Sequence, residues 1–233
     1  MYEAPHRITY YDLDMHGQVK LSAFLRMVHI AADANATELG VGFRELSARD
    51  MTFILQRFAV RANRMPAYGE CVTIRTWPAG VARGIFTRKG IMLCEKGEKI
   101  MEWASLWILF DLAARKILKP AALPIELPEF EDHGVEITPE KILLPVAGEE
   151  VSRHTHTVRY ADVDTNKHMN NSVYGDLIGN ALENSIPWRE IQISYLAETR
   201  LGEEIEITAK RDGGAFIVTG AVNERNSFAA RVL

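Results

Sequence analysis

One short stretch of the chain concentrates side chains that carry acid–base chemistry. Residues 162–174 read DVDTNKHMNNSVY, with two aspartates, three asparagines and one histidine directly before an apolar helical pattern. Histidine and carboxylates are the usual general acids and bases of proteins. Asp164, Asn166 and His168 stand two residues apart, so in an extended approach to a helix they face the same way. The spacing predicts a hydrolytic type of site where this helix begins.

A weaker copy of the stretch lies near the N-terminus, in residues 12–24, DLDMHGQVKLSAF. Its aspartates precede those of the later stretch by 150 residues, but His16 and Gln18 stand in place of Asn166 and His168. An internal duplication predicts two similar units. Because only the later copy holds the polar set, we expect a single active site in the second unit.

An acidic residue also distinguishes the two copies. Glu198 is the only acid between residues 191 and 200, late in the strand expected after the second helix. When the Gly-Glu pairs at 69–70 and 202–203 are aligned, Met65 takes the place of Glu198. Two separate positions of the second unit therefore gain reactive side chains, which favours the same location for the active site.

Two metal sites are alternatives for the cluster. The stretch begins like a calcium loop, but Lys167 occupies the position of the required glycine and Val173 that of the final acid, so we exclude this alternative. A zinc site would recruit His154, His156 and His168, with no evident fourth ligand, and we disfavour it. We expect neither a metal nor a cofactor.

The sequence pattern of each unit predicts the same order of elements: a short strand, one helix and four antiparallel strands. Apolar residues at i, i+3, i+4 and i+7 predict helices within 21–32 and 174–182, with Ser22 and either Asn171 or Ser172 as N-caps. Strand patterns follow at 53–63, 71–77, 84–95 and 99–111, and again at 188–198, 204–212, 215–224 and 227–233. A central helix wrapped by a curved antiparallel sheet satisfies this order, which places the chain in the α+β class.

The proline pattern divides the chain into domains. Five prolines fall among acidic residues between positions 117 and 150, a density that blocks regular pairing and predicts an extended linker. We therefore predict an N-terminal domain at 1–116, a linker at 117–150 and a C-terminal domain at 151–233. Asp12 and Asp162, which both copies contain, are expected to shape turns.

Composition narrows the function classes. The 233 residues carry a net charge of −4, which gives no general attraction to nucleic acid or anionic membranes. No stretch approaches the roughly 18 apolar residues of a membrane span, and the first residues do not resemble a secretory signal. The two cysteines, Cys71 and Cys94, are expected to be core residues. We expect a cytoplasmic protein.

In these residues and in their order, the chain resembles the acyl-ACP thioesterase family of plants and bacteria, whose fold is a tandem double hotdog. The resemblance runs from about residue 5 to the end and includes TWPAG at 76–80, Arg88 and the tryptophan-bearing run at 104–119. The family signature D-x-D-x-N-x-H-x-N-N-x-x-Y is met by Asp162, Asp164, Asn166, His168, Asn170, Asn171 and Tyr174.

The resemblance implies a catalytic group made of Asp164, Asn166, His168 and Glu198. It implies hydrolysis of fatty acyl-ACP to free fatty acid and ACP. Because the first unit lacks the reactive residues, we further expect the apolar helix face of the N-terminal domain to hold the acyl chain. Plant members have cysteine after the strand glutamate, where this chain has Thr199, so a cysteine nucleophile is not expected.

We further expect Asn170, Asn171, Tyr174 and Thr199 to bind substrate, with the carbonyl near residues 170–173. Any of four cations could contribute to docking of the acidic carrier protein, although each alone is more simply a solvated charge: Arg153, Lys167, Arg189 and Arg200. The alternatives are a hotdog acyl-CoA thioesterase and a non-catalytic acyl-binding module. Either a monomer or a homodimer fits a tandem chain.

Overall fold

The computed structural model describes residues 1–128, 130, 133–182 and 188–233. They form two compact units, one of Met1–Ile8 with Met27–Pro139 and the other of Thr9–Arg26 with Glu140–Leu233. The second unit thus includes the first turns of the N-terminal helix. The domain limits at residues 116 and 151 remain a prediction.

The elements follow the predicted order in each half of the chain. The first half contains β1 (Tyr2–Arg7), α1 (Leu21–Glu38), α2 (Phe43–Ser47), β2 (Met51–Ala62), β3 (Cys71–Ala82), β4 (Ile85–Leu93), β5 (Lys99–Asp111) and β6 (Lys116–Ile117). The second half contains β7 (Glu149–Thr157), α3 (Val173–Leu182), β8 (Glu190–Tyr195), β9 (Glu204–Asp212), β10 (Ala215–Val222) and β11 (Arg225–Val232). Both long helices and all eight strands after them are confirmed. The short elements α2 and β6 were not predicted, because they contain too few residues to show a period.

Strand pairing supports the duplication. The order is β1-β3-β4-β5-β2 in the first half and β7-β9-β10-β11-β8 in the second, so corresponding strands have corresponding neighbours. In each half of the chain a glycine lies opposite an aromatic residue on the neighbouring strand: Gly90 faces Trp103 and Gly220 faces Phe228. A Cβ atom at either glycine would collide with the facing ring. In both copies an aromatic ring therefore packs against a glycine of the neighbouring strand.

The start of α1 differs from the prediction. Ser22 lies inside α1 and is fully buried, so the prediction that it caps the helix is wrong. It is buried because α3 passes closely: a Cβ on Gly175 would lie 2.6 Å from the Ser22 backbone nitrogen. Ser172 stands directly before α3, and Asn170 Oδ1 accepts hydrogen bonds from its N–H and its hydroxyl.

The segment 133–146, which we call the strap, has no regular secondary structure but makes contacts with strands of the unit to which each of its parts belongs. In the first unit, alternate residues Val135 and Ile137 are buried against the sheet, and Lys89 Nζ donates to the Val135 carbonyl at 3.1 Å. In the second unit, Lys210 Nζ donates to the Val146 carbonyl at 3.1 Å. The linker at 117–150 remains a prediction, and at its two ends Ile117 belongs to β6 and Glu149 and Glu150 belong to β7.

Cys71 and Cys94 are free thiols, half-buried and buried respectively. Of the helices in the described part of the chain, none has the length and apolar character needed to cross a bilayer.

His29 of α1 makes folding stability depend on pH. Its ring meets the edges of Phe58 and Trp107, its Nε2 atom is buried without a partner among the described residues, and burial lowers its pKa from 6.5 to about 4. Between pH 6.5 and 4 the unfolded chain therefore binds a proton that the folded chain excludes. The free energy of unfolding falls as pH drops through this window, by up to about 3 kcal/mol, and the effect ends below pH 4.

We expect His29→Phe to lose less stability than the parent protein between pH 7 and pH 4.5, as measured by urea unfolding at each pH. The exposed His16, replaced by Gln, serves as the control and keeps the full pH dependence. Equal losses in the parent and the His29 variant would contradict this explanation.

Candidate active site

The loop before α3, residues 159–172, is called the site loop below, and Asp164 sets its shape. The Asp164 carboxylate accepts the Asn166 backbone N–H at 2.8 Å, and its own backbone N–H donates to the His168 carbonyl at 3.0 Å. Asp14 makes the equivalent contacts with His16 and Gln18 in the first copy. Because both copies keep these bonds, the observed contacts of Asp164 are those of a turn-forming aspartate.

Glu198 reaches the site from beyond the end of a strand. The sequence placed it within the strand, but β8 ends at Tyr195, so this detail is wrong. The ladder stops because the N–H groups of Leu196 and Ala197 both donate to the Ser227 carbonyl. The chain then bends, and the Met169 N–H donates to the Thr199 carbonyl at 2.8 Å, which fastens this segment to the site loop.

This arrangement joins the two reactive side chains that only the second copy has. His168 Nε2 lies 3.0 Å from Glu198 Oε2, and their side chains are 31% and 37% exposed. A base must be reachable by water and by substrate, and these exposures leave both groups accessible. The pair is the central feature of the candidate site.

Two arginines hold the glutamate. Arg200 Nη2 lies 3.3 Å from the same Glu198 oxygen that contacts His168, and Arg225 donates to the Glu198 backbone carbonyl at 3.0 Å. Arg200 was expected only as a docking cation, and Arg225 was missed. No local pattern marks Arg225, because its contact forms only when the β10–β11 hairpin brings it beside residue 198.

Two tyrosine hydroxyls support the segment that carries Glu198 and the site loop. The Tyr174 hydroxyl donates to Thr199 Oγ1 at 3.2 Å, and the Tyr195 hydroxyl donates to the Asn171 carbonyl at 3.3 Å. The two tyrosine rings meet edge-on with centroids 5.4 Å apart. Burial raises the pKa of Tyr174 and of Tyr195 above the ordinary value for tyrosine, so both hydroxyls remain protonated donors. Tyr174 and Thr199, expected to bind substrate, make these contacts within the protein.

The backbone before α3 leaves one donor free. The Asn170 N–H donates to the Asp162 carbonyl, and the N–H groups of Ser172 and Val173 donate to Asn170. Among the described residues, only the Asn171 N–H of this run has no acceptor. The expected oxyanion position at residues 170–173 is therefore reduced to one candidate donor, next to the positive end of the α3 dipole.

The tip of the site loop is exposed. Asn166 is exposed, and its side chain has no hydrogen-bond partner within the described ranges. Lys167 adopts a φ of 64°, in the left-handed region, where its counterpart Gly17 has a φ of 75°. A side chain at positive φ costs free energy that glycine avoids. The second copy keeps a lysine here despite that cost.

The zinc alternative receives no support from the geometry. His156 Nε2 contacts Asp162 Oδ2 at 2.8 Å. Outside the undescribed positions 129, 131, 132 and 183–187, no group of three or more His, Cys, Asp or Glu side chains is arranged to hold a metal ion.

Comparison with solved structures defines the class of fold. The structure matches an acyl-ACP thioesterase from Bacteroides thetaiotaomicron with a TM-score of 0.87 and 22% identity, over 99% of this chain and 96% of that chain. It matches the 12:0-ACP thioesterase from Umbellularia californica with a TM-score of 0.83 and 19% identity, over 99% and 95%. The predicted α+β tandem double hotdog fold is confirmed.

Family models then give the membership. The model described as the acyl-ACP thioesterase N-terminal domain matches residues 1–122, and that of the C-terminal domain matches residues 147–231. This chain belongs to the acyl-ACP thioesterase family.

Curated relatives are plant proteins. A chloroplastic acyl-[acyl-carrier-protein] hydrolase of Cuphea viscosissima is 30% identical over 149 residues, which is 61% of this chain and 35% of the relative. The chloroplastic dodecanoyl-[acyl-carrier-protein] hydrolase of Cinnamomum camphora is 27% identical over 190 residues, 76% of this chain and 49% of the relative. The matches thus span between about a third and a half of these relatives' lengths.

Proposed function

We propose that this chain hydrolyses the thioester of fatty acyl-ACP and releases free fatty acid and ACP. The observation that carries the proposal is the 3.0 Å contact between His168 Nε2 and Glu198 Oε2, which unites the residues that distinguish the second copy from the first. Family membership and the names of the curated relatives favour an acyl carrier protein over coenzyme A as the carrier.

The chemistry is a base-assisted attack of water. The water oxygen bonds to the carbonyl carbon, the carbon–sulfur bond breaks, and the proton taken from water leaves on the carrier thiol. An ionised Glu198 can only accept a hydrogen bond, so it favours the tautomer in which His168 Nε2 carries the hydrogen and Nδ1 holds the lone pair. His168 then takes the proton at Nδ1, and Glu198 stabilises the resulting imidazolium.

The remaining residues orient the reacting groups or hold the segments that carry them. Asn166, exposed and without a partner in the described part of the chain, orients the water or the carbonyl, and the Asn171 N–H binds the developing oxyanion. Asp164 and Asn170 hold the site loop in shape. Tyr174 and Thr199 fix the segment that carries Glu198 and act without touching the substrate. The N-terminal domain provides the acyl-chain pocket.

Lys167 is proposed to contact the acidic carrier. It is exposed and makes no ion pair within the described residues, whereas Arg153 is already paired with Glu150 and Glu206. We expect Lys167→Gly to raise KM for acyl-ACP by about 3- to 10-fold, because an attractive charge is lost. Glycine also relieves the positive φ, so the melting temperature should not fall.

The matched control is Lys167→Arg, which keeps the charge and should keep KM. The second control is the substrate itself: KM for an acyl-N-acetylcysteamine thioester, which has no carrier, should be the same in both variants. An equal rise for both substrates would mean that Lys167 contacts the acyl group or the site.

The test of the proposed function is thiol release from matched acyl-ACP and acyl-CoA series of increasing chain length, with His168→Ala as the blank. Release from acyl-ACP that the variant abolishes supports the proposal, and the length profile identifies the preferred chain. Release from acyl-CoA alone would favour the acyl-CoA thioesterase. No release from either, with an intact fold, would favour a non-catalytic acyl-binding module. A cytoplasmic location and a monomeric or homodimeric state remain predictions.

A further inference from the structure

A second repeated motif is not used by the mechanism above. His6 precedes Asp12 by six residues, and His156 precedes Asp162 by six residues, at the same offset of 150. In the second copy His156 Nε2 lies 2.8 Å from Asp162 Oδ2, with the side chains 29% and 19% exposed. The sequence predicts only a turn-shaping role for Asp162, so the partner on β7 is new.

His156 stands on a fixed part of the fold. Its strand, β7, pairs with β9 along most of its length, and His156 lies opposite Ile205. Ser152, on the same face of β7, donates its hydroxyl hydrogen to the Ala181 carbonyl of α3 at 2.6 Å. The imidazole is thus attached to a strand that is held by both the sheet and the helix.

Asp162 connects His156 to the site loop through further hydrogen bonds. Its carboxylate also accepts the Arg159 N–H at 2.8 Å, and its backbone carbonyl accepts the Asn170 N–H at 2.8 Å. Between these points Val163 pairs with Met169, directly beside His168. The contacts form a short chain of bonds from β7 through Asp162 and Val163 to Met169 and Asn170, the two residues that follow the proposed base.

We propose that His156 is a positioning residue that holds the site loop, and therefore His168, at the reacting distance through Asp162. The proposal rests on the proposed function for its kinetic consequence. Either the neutral Nε2–H tautomer or the protonated ring donates to the carboxylate, so the contact persists in both charge states of His156. Placement matters because a displacement of about 1 Å in a catalytic group can cost about 100-fold in rate.

The experiment compares His156→Asn with His156→Gln. The Gln amide can still donate to Asp162, whereas the Asn amide is one carbon shorter and cannot reach it. We expect His156→Asn to lower kcat for acyl-ACP by roughly 10-fold with KM unchanged, and His156→Gln to restore most of kcat. His6→Asn, at the equivalent position of the first copy, should leave kcat near the parent value.

Hydrogen exchange adds a readout that needs no turnover. The backbone amides of residues 164–170 should exchange faster in His156→Asn, while those of β9 and β10 stay as in the parent. If the parent protein shows no turnover, the proposed function fails, and the exchange result alone supports or overturns the anchoring. Unchanged exchange and kcat in His156→Asn, or an equal loss of kcat in His156→Gln or His6→Asn, would overturn the proposal.

Discussion

Replacing His168 with alanine is expected to lower kcat for fatty acyl-ACP by roughly 10² to 10⁴-fold, the usual contribution of a positioned base. The loss follows from the geometry, since no other imidazole of the described residues contacts Glu198. Steady-state thiol release from one acyl-ACP measures it. The fold should persist, because His168 is 31% exposed and makes its side-chain contact at the surface of the site.

The control for this variant is His16→Ala, which removes the histidine of the equivalent loop in the first copy and should leave kcat near the parent value. Near-native turnover in His168→Ala would remove this residue from the mechanism and with it the assignment of the site.

Replacing Glu198 with alanine or with glutamine is expected to cost a similar factor of roughly 10² to 10⁴ in kcat. Glutamine preserves the shape of the side chain but neither takes a proton nor stabilises an imidazolium, so it should be almost as slow as alanine. Glu204→Gln, an exposed carboxylate at the start of β9, is the matched control and should keep full activity.

The double variant His168→Ala/Glu198→Ala tests whether the two residues act as a unit. Groups that act together lose their effect when either is removed, so the double variant should be about as slow as each single variant. If the two losses instead multiplied, His168 and Glu198 would contribute independently, and the proposed orientation of the imidazole by Glu198 would be wrong.

Local patterns were sufficient for much of the fold. The apolar period of α1 and α3 and the alternation in the strands depend on residues close in sequence, and those elements are confirmed. Ser22 shows the limit of such reasoning. Serine is a favourable N-cap, but α1 begins one residue earlier, at Leu21, and Ser22 is buried where Gly175 passes close to its backbone. This packing is not visible in a local pattern.

The candidate site was similarly predictable in part. Comparison of the two copies identified His168 and Glu198, which the structure brings into contact. The end of β8 depends on a bifurcated acceptor at Ser227, more than thirty residues away in the chain. The contact of Arg225 with the Glu198 carbonyl also joins residues that are 27 positions apart, so no short window of sequence contains it.

The strap has a consequence for how the chain tolerates changes in length. Odd-numbered residues, Val135, Ile137 and Pro139, are buried in its first part, whereas even-numbered ones, Ile142, Leu144 and Val146, are half-buried in its second part. Because alternate residues face opposite sides, one residue inserted within the first part would expose its apolar row and turn polar residues such as Glu136 inward. Insertions of two residues would preserve the parity. This rule ends at residues 140–141, where the parity changes, so drift in the length of the strap should be concentrated from that step onward.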